Sequence, residues 1–268
     1  MRLHLLPIIA AAAAAAAPGD APRSATMDSL IHTVMGVTVR RYYGYAYDTG
    51  SGRHLYTEVH AQRYDTDGHW LGGTVDYYAA AGQELAHKTL DFSKSPYVPR
   101  YRLDDVKPKY DEGISKITAD KIYLFKQTEK DETPQRQTVD RNKNMAADAG
   151  LESYLRSHMA ELMAGKTLEL TLVVAGKLDS YSVRARRMAD TRFDGKPEVR
   201  FKIELSNVLR WFIKPIVVIY DPQARRLLEY IGVSNVLDPE TGKVFKSVRI
   251  VYSDRPLADA PRDLPPLQ

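Results

Sequence analysis

The residues of this chain with chemistry to offer are its seven histidines and a few short acidic runs, and their spacing limits what that chemistry can be. His54 and His60 share one face of a strand pattern, but the extended chain between them holds them about 20 Å apart, too far for a common metal ion. His60 and His69 flank a turn without standing opposite each other in the expected hairpin register. The stretch LDDVKPKYDEG gathers Asp104, Asp105, Asp111 and Glu112, acids that attract Ca²⁺; the spacing matches no EF-hand, and Lys107 and Lys109 lie between them. Asp91 with Asp104 or Glu112 forms the candidate carboxylate pair for glycoside hydrolysis, a reaction that needs two carboxyl groups flanking one bond. No His-Glu-x-x-His, nucleophile elbow, phosphate-binding loop or dinucleotide fingerprint is present. No metal or cofactor is expected from these patterns. With no cysteine in the chain, thiolate metal sites, a thiol nucleophile and disulfides are excluded.

The elements that position these groups read as strands. Between Val37 and Phe92, runs rich in Tyr, Val and Thr alternate with Gly/Asp turns, the pattern of a β-meander. In HLYTEVHAQ, Leu55, Val59 and Ala61 face one way while His54, Tyr56, Glu58, His60 and Gln62 face the other, so this part of the sheet is expected to have one apolar and one solvated face. Tyr43, Tyr45 and Tyr47 line one side of the first long strand, with Tyr56, Tyr77 and Tyr78 on its neighbours. Such rows serve cross-strand packing, and they also offer flat amphipathic contact to a sugar, a lipid headgroup or another strand. Residues 93–120 look irregular, with Pro96, Pro99 and Pro108, and suggest a packed or ligand-binding connection. EKDETPQRQ, residues 129–137, reads as an exposed loop.

DAGLESYLRSHMAELMAG places Leu151, Tyr154, Leu155, Met159, Leu162 and Met163 on one helical face, with Asp148 as N-cap and Gly165 past the C-terminus. The spacing predicts a helix over 148–164. Alternating strands then resume in TLELTLVV, YSVRARR and EVRFKIEL. The hairpin IVVIYDPQARRLLEYIGV is apolar on both faces and needs a cover on each. The helix supplies one cover; a groove that accepts an apolar ligand is the other reading, with Trp211, Phe212, Tyr220 and Tyr230 as its candidate ligand-binding residues.

The N-terminal stretch MRLHLLPIIAAAAAAAAPGDAPRSA has a basic Arg2, an apolar run and then small residues, the layout of a cleaved secretory signal peptide over residues 1–22. The run is too short to span a bilayer, which takes about 20 apolar residues. An exported, periplasmic protein with no transmembrane segment in its mature chain is the expectation. The charge of +4 is interspersed and forms no clustered basic face, so nucleic acid is not an expected partner.

The segments TVDYYAAAGQELAHKTLDF, DAGLESYLRSHMAELMAGKTLELTLVV and KPIVVIYDPQARRLLEYIGVSNVLD resemble an uncharacterised exported protein family of Gram-negative bacteria, which implies no particular activity. The curved β-meander with a helix also resembles, in architecture, the periplasmic lipoprotein-carrier (Lol) open barrels. These readings converge on a mainly β protein: a strongly curved antiparallel sheet or open barrel over residues 30–253, one amphipathic helix packed on it, and a disordered Pro-rich tail over 254–268. The expected function is a non-enzymatic periplasmic binding or carrier module for a hydrophobic or amphipathic ligand such as a lipid. An envelope protein-interaction or structural module and a hydrolase using a carboxylate pair are the alternatives.

Overall fold

The computed structural model of the protein describes residues 31–34, 36–189, 191–193, 196–208, 213–257, 260 and 264. The expected signal peptide, Trp211, Phe212 and much of the tail lie outside these residues. Among the described residues, seventeen strands make one large, curved, almost wholly antiparallel sheet. In chain order the first eight are β1 (Ile31–Val34), β2 (Val37–Asp48), β3 (His54–Tyr64), β4 (Trp70–Ala79), β5 (Glu84–Asp91), β6 (Arg100–Asp105), β7 (Tyr110–Ile117) and β8 (Lys121–Thr128). Then come β9 (Gln135–Asp140), β10 (Met145–Ala147), the helices α1 (Gly150–Ser157) and α2 (Met159–Met163), and β11 (Leu168–Val174). A 3-10 turn (Ala175–Lys177) leads to β12 (Asp179–Arg187), β13 (Thr191–Phe193), β14 (Lys196–Leu205), β15 (Ile216–Asp221), β16 (Arg226–Gly232) and β17 (Val248–Ser253).

Tight turns fix the meander from β2 to β9, where each strand pairs antiparallel with the next. The second half runs from β11 through β12, β14, β15 and β16 to β17, and β17 closes onto β2. The only parallel pairing among the described residues is β10 with β11. No ladder joins the β9 end to the β10 end among the described residues, so the sheet curves without closing.

Two apolar cores lie on the concave side. One joins Ala46, Tyr56, Val75, Leu103, Ile122 and Leu124 of the meander to Val236 from the 233–247 loop. The other packs Leu151, Tyr154, Leu155, Met159 and Leu162 of the helices against Phe201, Val218 and Tyr220. The helix therefore covers one face of the β15–β16 hairpin, the arrangement its apolar stripe requires.

Four details differ from simple local patterning. The single helix over 148–164 is two segments: His158 interrupts it, with its ring stacked 4.2 Å from that of Tyr154 and its Nδ1 2.8 Å from the Tyr154 carbonyl oxygen. Residues 93–120 are not one irregular connection but hold β6 and β7, because the inward places of their alternation carry Asp105 and Glu112 and so disguise the period. The stretch read as a loop over 129–137 likewise contains the start of β9, whose residues are nearly all exposed. A bulge between Ile219 and Tyr220 in the β15–β16 pairing puts Leu227 opposite Tyr220 and Tyr230 opposite Val218. Leu227 and Tyr230 thus share the inner face, instead of opposing each other as simple alternation has it.

Of the tail, expected to be disordered, the described residues Leu257, Ala260 and Leu264 pack on Tyr43, Tyr45 and Val59 on the convex side.

Candidate functional site

The polar side of β3 faces inward. Glu58, His60 and Gln62 share the face of Tyr56, which is fully buried in the meander core, whereas Val59 faces out with Tyr43 and Tyr45 beneath the tail. The expected solvated face is the concave face of the sheet. The reason lies in curvature: once β17 pairs with β2, the sheet wraps around its inner face, and polar residues there are accommodated largely by pairing with one another.

They do so in rows fixed by the strand register. Tyr42, His60, Val75, Lys88, Leu103, Glu112 and Lys126 stand directly opposite one another across the seven strands β2 to β8. In the next row lie Gly44, Glu58, Tyr77, Ala86, Asp105 and Tyr110, with a bulge between Tyr77 and Tyr78 beside it in the β4–β5 pairing. Together they form a polar belt across the inside of the meander.

At one end of the belt the Lys88 ammonium is buried 2.8 Å from Asp148 Oδ2. Burial lowers the affinity of this lysine for its proton, but Asp148, Glu58 and Glu112 outweigh it and raise the pKa overall. Asn235 donates to the same Asp148 oxygen at 2.8 Å. Glu112 accepts from Tyr110 Oη at 2.5 Å and Tyr101 Oη at 3.2 Å, and burial leaves its pKa raised despite those donors. Asp105 accepts from the Leu237 amide at 2.9 Å, while its other oxygen has no partner among the described residues. Burial pushes the Asp105 carboxyl up to about 7.

At the other end, His60 Nε2 lies 2.8 Å from Glu58 Oε2, and the His60 ring stacks on Tyr42 with centroids 4.4 Å apart. Gln62 donates to Tyr42 Oη at 2.7 Å and accepts from Tyr64 Oη at 2.5 Å. Gly44 leaves room for this cluster: a Cβ there would lie 2.7 Å from Glu58 Oε2 and 3.0 Å from the Tyr252 ring. Across the concavity, α1 carries Glu152 and Arg156, 3.6 Å apart, with their charges close to Tyr64. Burial raises the pKa of Glu152. Near them the Tyr220 hydroxyl is buried without a hydrogen-bond partner among the described residues.

The sequence candidates are thus distributed. Tyr220 is fully buried beneath α1, and Tyr230 packs against both cores with its hydroxyl donating to the Val233 carbonyl at 2.9 Å. Trp211 and Phe212 lie outside the described residues. Of the two candidate carboxylate pairs, Asp91–Glu112 is divided between faces, with Glu112 inward and Asp91 outward beside Arg100, whose Nε is 3.1 Å from Asp91 Oδ2; Asp104 shares the outer face with Asp91, four residues along the β5–β6 register. Asp104 and Asp111 stand opposite each other on the convex side and share Arg102, which is 2.7 Å from Asp111. His69 joins Asp65 and Asp67 in an exposed turn whose ligand atoms lie within 4.8 Å of one another. Sequence reading missed Lys88, Asp148, Gln62 and Arg156. The available signal was a charged residue at an inward place of a strand otherwise apolar on that side, as Lys88 is between Ala86 and Leu90.

No family model and no curated relative matches the chain. Among solved structures the chain is similar to the crystal structure of a β-barrel-like protein of a domain of unknown function (DUF1849) from Brucella abortus, at 10% identity and a TM-score of 0.45. That similarity covers 81% of this chain and 96% of the other. No helix among the described residues is long and apolar enough to cross a membrane.

Proposed function

We propose that the protein is an exported, non-enzymatic binding or carrier module whose ligand is amphipathic, held by its polar end inside the curved sheet. The carrying observation is the Tyr220 hydroxyl, which has no hydrogen-bond partner among the described residues. It is enclosed where Glu152 and Arg156 of α1 face Tyr42, Gln62 and Tyr64 of the meander. A buried hydroxyl without an acceptor costs about 1–3 kcal/mol, a cost that a ligand acceptor removes. The half-buried Arg156 adds a donor with five N–H groups in reach of the same space, and the neighbouring helix core offers apolar wall. Lipids, with a polar head and a long apolar body, have this division of character, and an exported N-terminus fits that choice.

Native mass spectrometry of protein purified from the envelope fraction, followed by lipid extraction, tests this reading. A bound amphipathic molecule is expected; Trp211→Asp should lose it and Tyr220→Phe should hold it about five- to tenfold more weakly, while the far-ultraviolet spectrum stays β-rich. Protein that is ligand-free in every preparation, including after incubation with total envelope lipid, refutes the carrier function.

A further inference from the structure

We propose that a groove on the convex side of β5–β9 binds a sugar carrying a carboxylate or phosphate, with Arg136 receiving the anion and Phe125 stacking on the ring. The groove has a volume of about 600 Å³ and is lined by Asp91, Arg100, Arg102, Asp111, Phe125 and Arg136, among others. It lies on the opposite face of the sheet from the polar belt and does not depend on the carrier function.

Register builds the groove. Arg102, Gly113, Phe125 and Arg136 stand in one cross-strand row over β6, β7, β8 and β9. Gly113 is the low point of that row: a Cβ there would lie 1.9 Å from the Tyr101 carbonyl oxygen and 3.0 Å from Phe125 Cε1. Phe125 consequently has bare backbone on one side and a guanidinium-bearing residue on the other. It makes no ring contact with another aromatic residue among the described residues.

Charge distinguishes the three arginines. Arg100 is held by Asp91, and Arg102 by Asp111 at 2.7 Å, with Asp104 at 3.7 Å. Arg136 has no carboxylate partner among the described residues, so its charge is available to an anion, and its planar fork matches a carboxylate or phosphate. The two neutralised pairs remain hydrogen-bonding groups, suited to hydroxyls rather than to a second anion. Thr89, Ser115 and Gln127 extend the polar lining. An open groove that combines one solvent-facing aromatic platform, one available guanidinium and several hydrogen-bonding side chains fits a hydroxylated, singly anionic ring better than a lipid, which needs enclosed wall.

Amide NMR titrations of the isotope-labelled protein test the site with glucuronic acid, glucose 6-phosphate, neutral glucose, inorganic phosphate and a short oligouronate. Both acidic sugars should shift amides of β5–β9, with glucose and inorganic phosphate each at least about tenfold weaker. Arg136→Gln should weaken glucuronate about tenfold, and Phe125→Leu about fivefold, with the remaining spectrum unchanged. An oligouronate binding more tightly than the monomer assigns the site to a segment of an acidic glycan, and equal affinity assigns it to a free sugar acid. The proposal is overturned by equal affinity for phosphate and acidic sugars, by shifts that map elsewhere, or by no shift at about 10 mM sugar.

Discussion

Lys88 Nζ and Asp148 Oδ2 lie 2.8 Å apart across sixty residues of chain, and both side chains are almost wholly removed from solvent. The ammonium also sits 5.9 Å from the centroid of the Tyr77 ring and 5.8 Å from that of Tyr101. Asp148 is held at φ +46°, in the left-handed region, which turns its carboxylate back over the meander instead of leaving it to cap α1. Asn235 donates to the same oxygen, so one carboxylate ties β5, the start of the helix and the 233–247 loop together.

Removing one partner of this pair strands the other. Lys88→Met leaves Asp148 buried without its counter-ion, beside Glu112, and should cost about 3–5 kcal/mol. For a domain of this size that is a fall in Tm of about 6–20 °C. Urea unfolding followed by tyrosine fluorescence measures it. A loss below about 1 kcal/mol shows that the pair contributes nothing net.

What the sequence disclosed follows from how each signal arises. Turn chemistry and alternation are local, so β2, β8, β11, β12 and β14 to β16 are legible to within a residue or two, as is Gly165 at φ +83° beyond α2, whereas the three-residue β13 is too short to show a period. The direction in which a polar face points is not local. Glu58, His60 and Gln62 read as solvated until β17 pairs with β2 and curves the sheet around them. The same cause hid Asp148, which satisfies every local criterion for an N-cap yet is drawn away by Lys88. The bulge at Ile219/Tyr220 reassigns Leu227 and Tyr230 to one face, and no residue pattern in the hairpin announces it.

Asp105 should make stability fall as pH rises. Its carboxyl stands at about 7 in the folded protein, against 3.8 in its ordinary state, because burial disfavours the charge. Below pH about 4 the folded and unfolded chains both hold this proton, and the stabilisation is fully present. As pH rises through 7 the folded chain must release the proton as well, and up to about 4 kcal/mol is lost. Asp105→Asn keeps an acceptor for the Leu237 amide and removes the titration. Its unfolding free energy should therefore vary less between pH 5 and 8 than that of the unaltered protein, in which Glu112, also raised by burial, adds to the slope. Equal slopes in the two proteins contradict a buried, proton-bearing Asp105.

Gly150→Ala should destabilise, although alanine is the better helix former by about 1 kcal/mol. A Cβ at Gly150 would lie 1.9 Å from the Tyr97 carbonyl oxygen, which is backbone and is itself bound by the Ala147 amide at 3.0 Å. The start of α1 is pressed against the 93–99 segment, and neither side can give way without breaking that bond. A net loss of about 1–3 kcal/mol is expected by thermal unfolding. A gain in Tm shows that the segment yields freely.

Tyr220→Phe separates a structural role for this residue from a binding one. Its ring is fully buried between Phe201, with centroids 5.8 Å apart, and the apolar side of α1, and its hydroxyl is without a partner among the described residues. Removing the hydroxyl from the ligand-free protein deletes a buried donor that makes no hydrogen bond, so stability should stay level or rise by about 1 kcal/mol. In the ligand-bound protein the same change removes a donor to the ligand and should weaken binding about five- to tenfold. The two effects have opposite signs, and thermal unfolding with and without extracted envelope lipid reads both. A loss of stability in the ligand-free state shows that the hydroxyl is already satisfied within the protein. In that case Tyr220 has no unmet donor to offer a ligand.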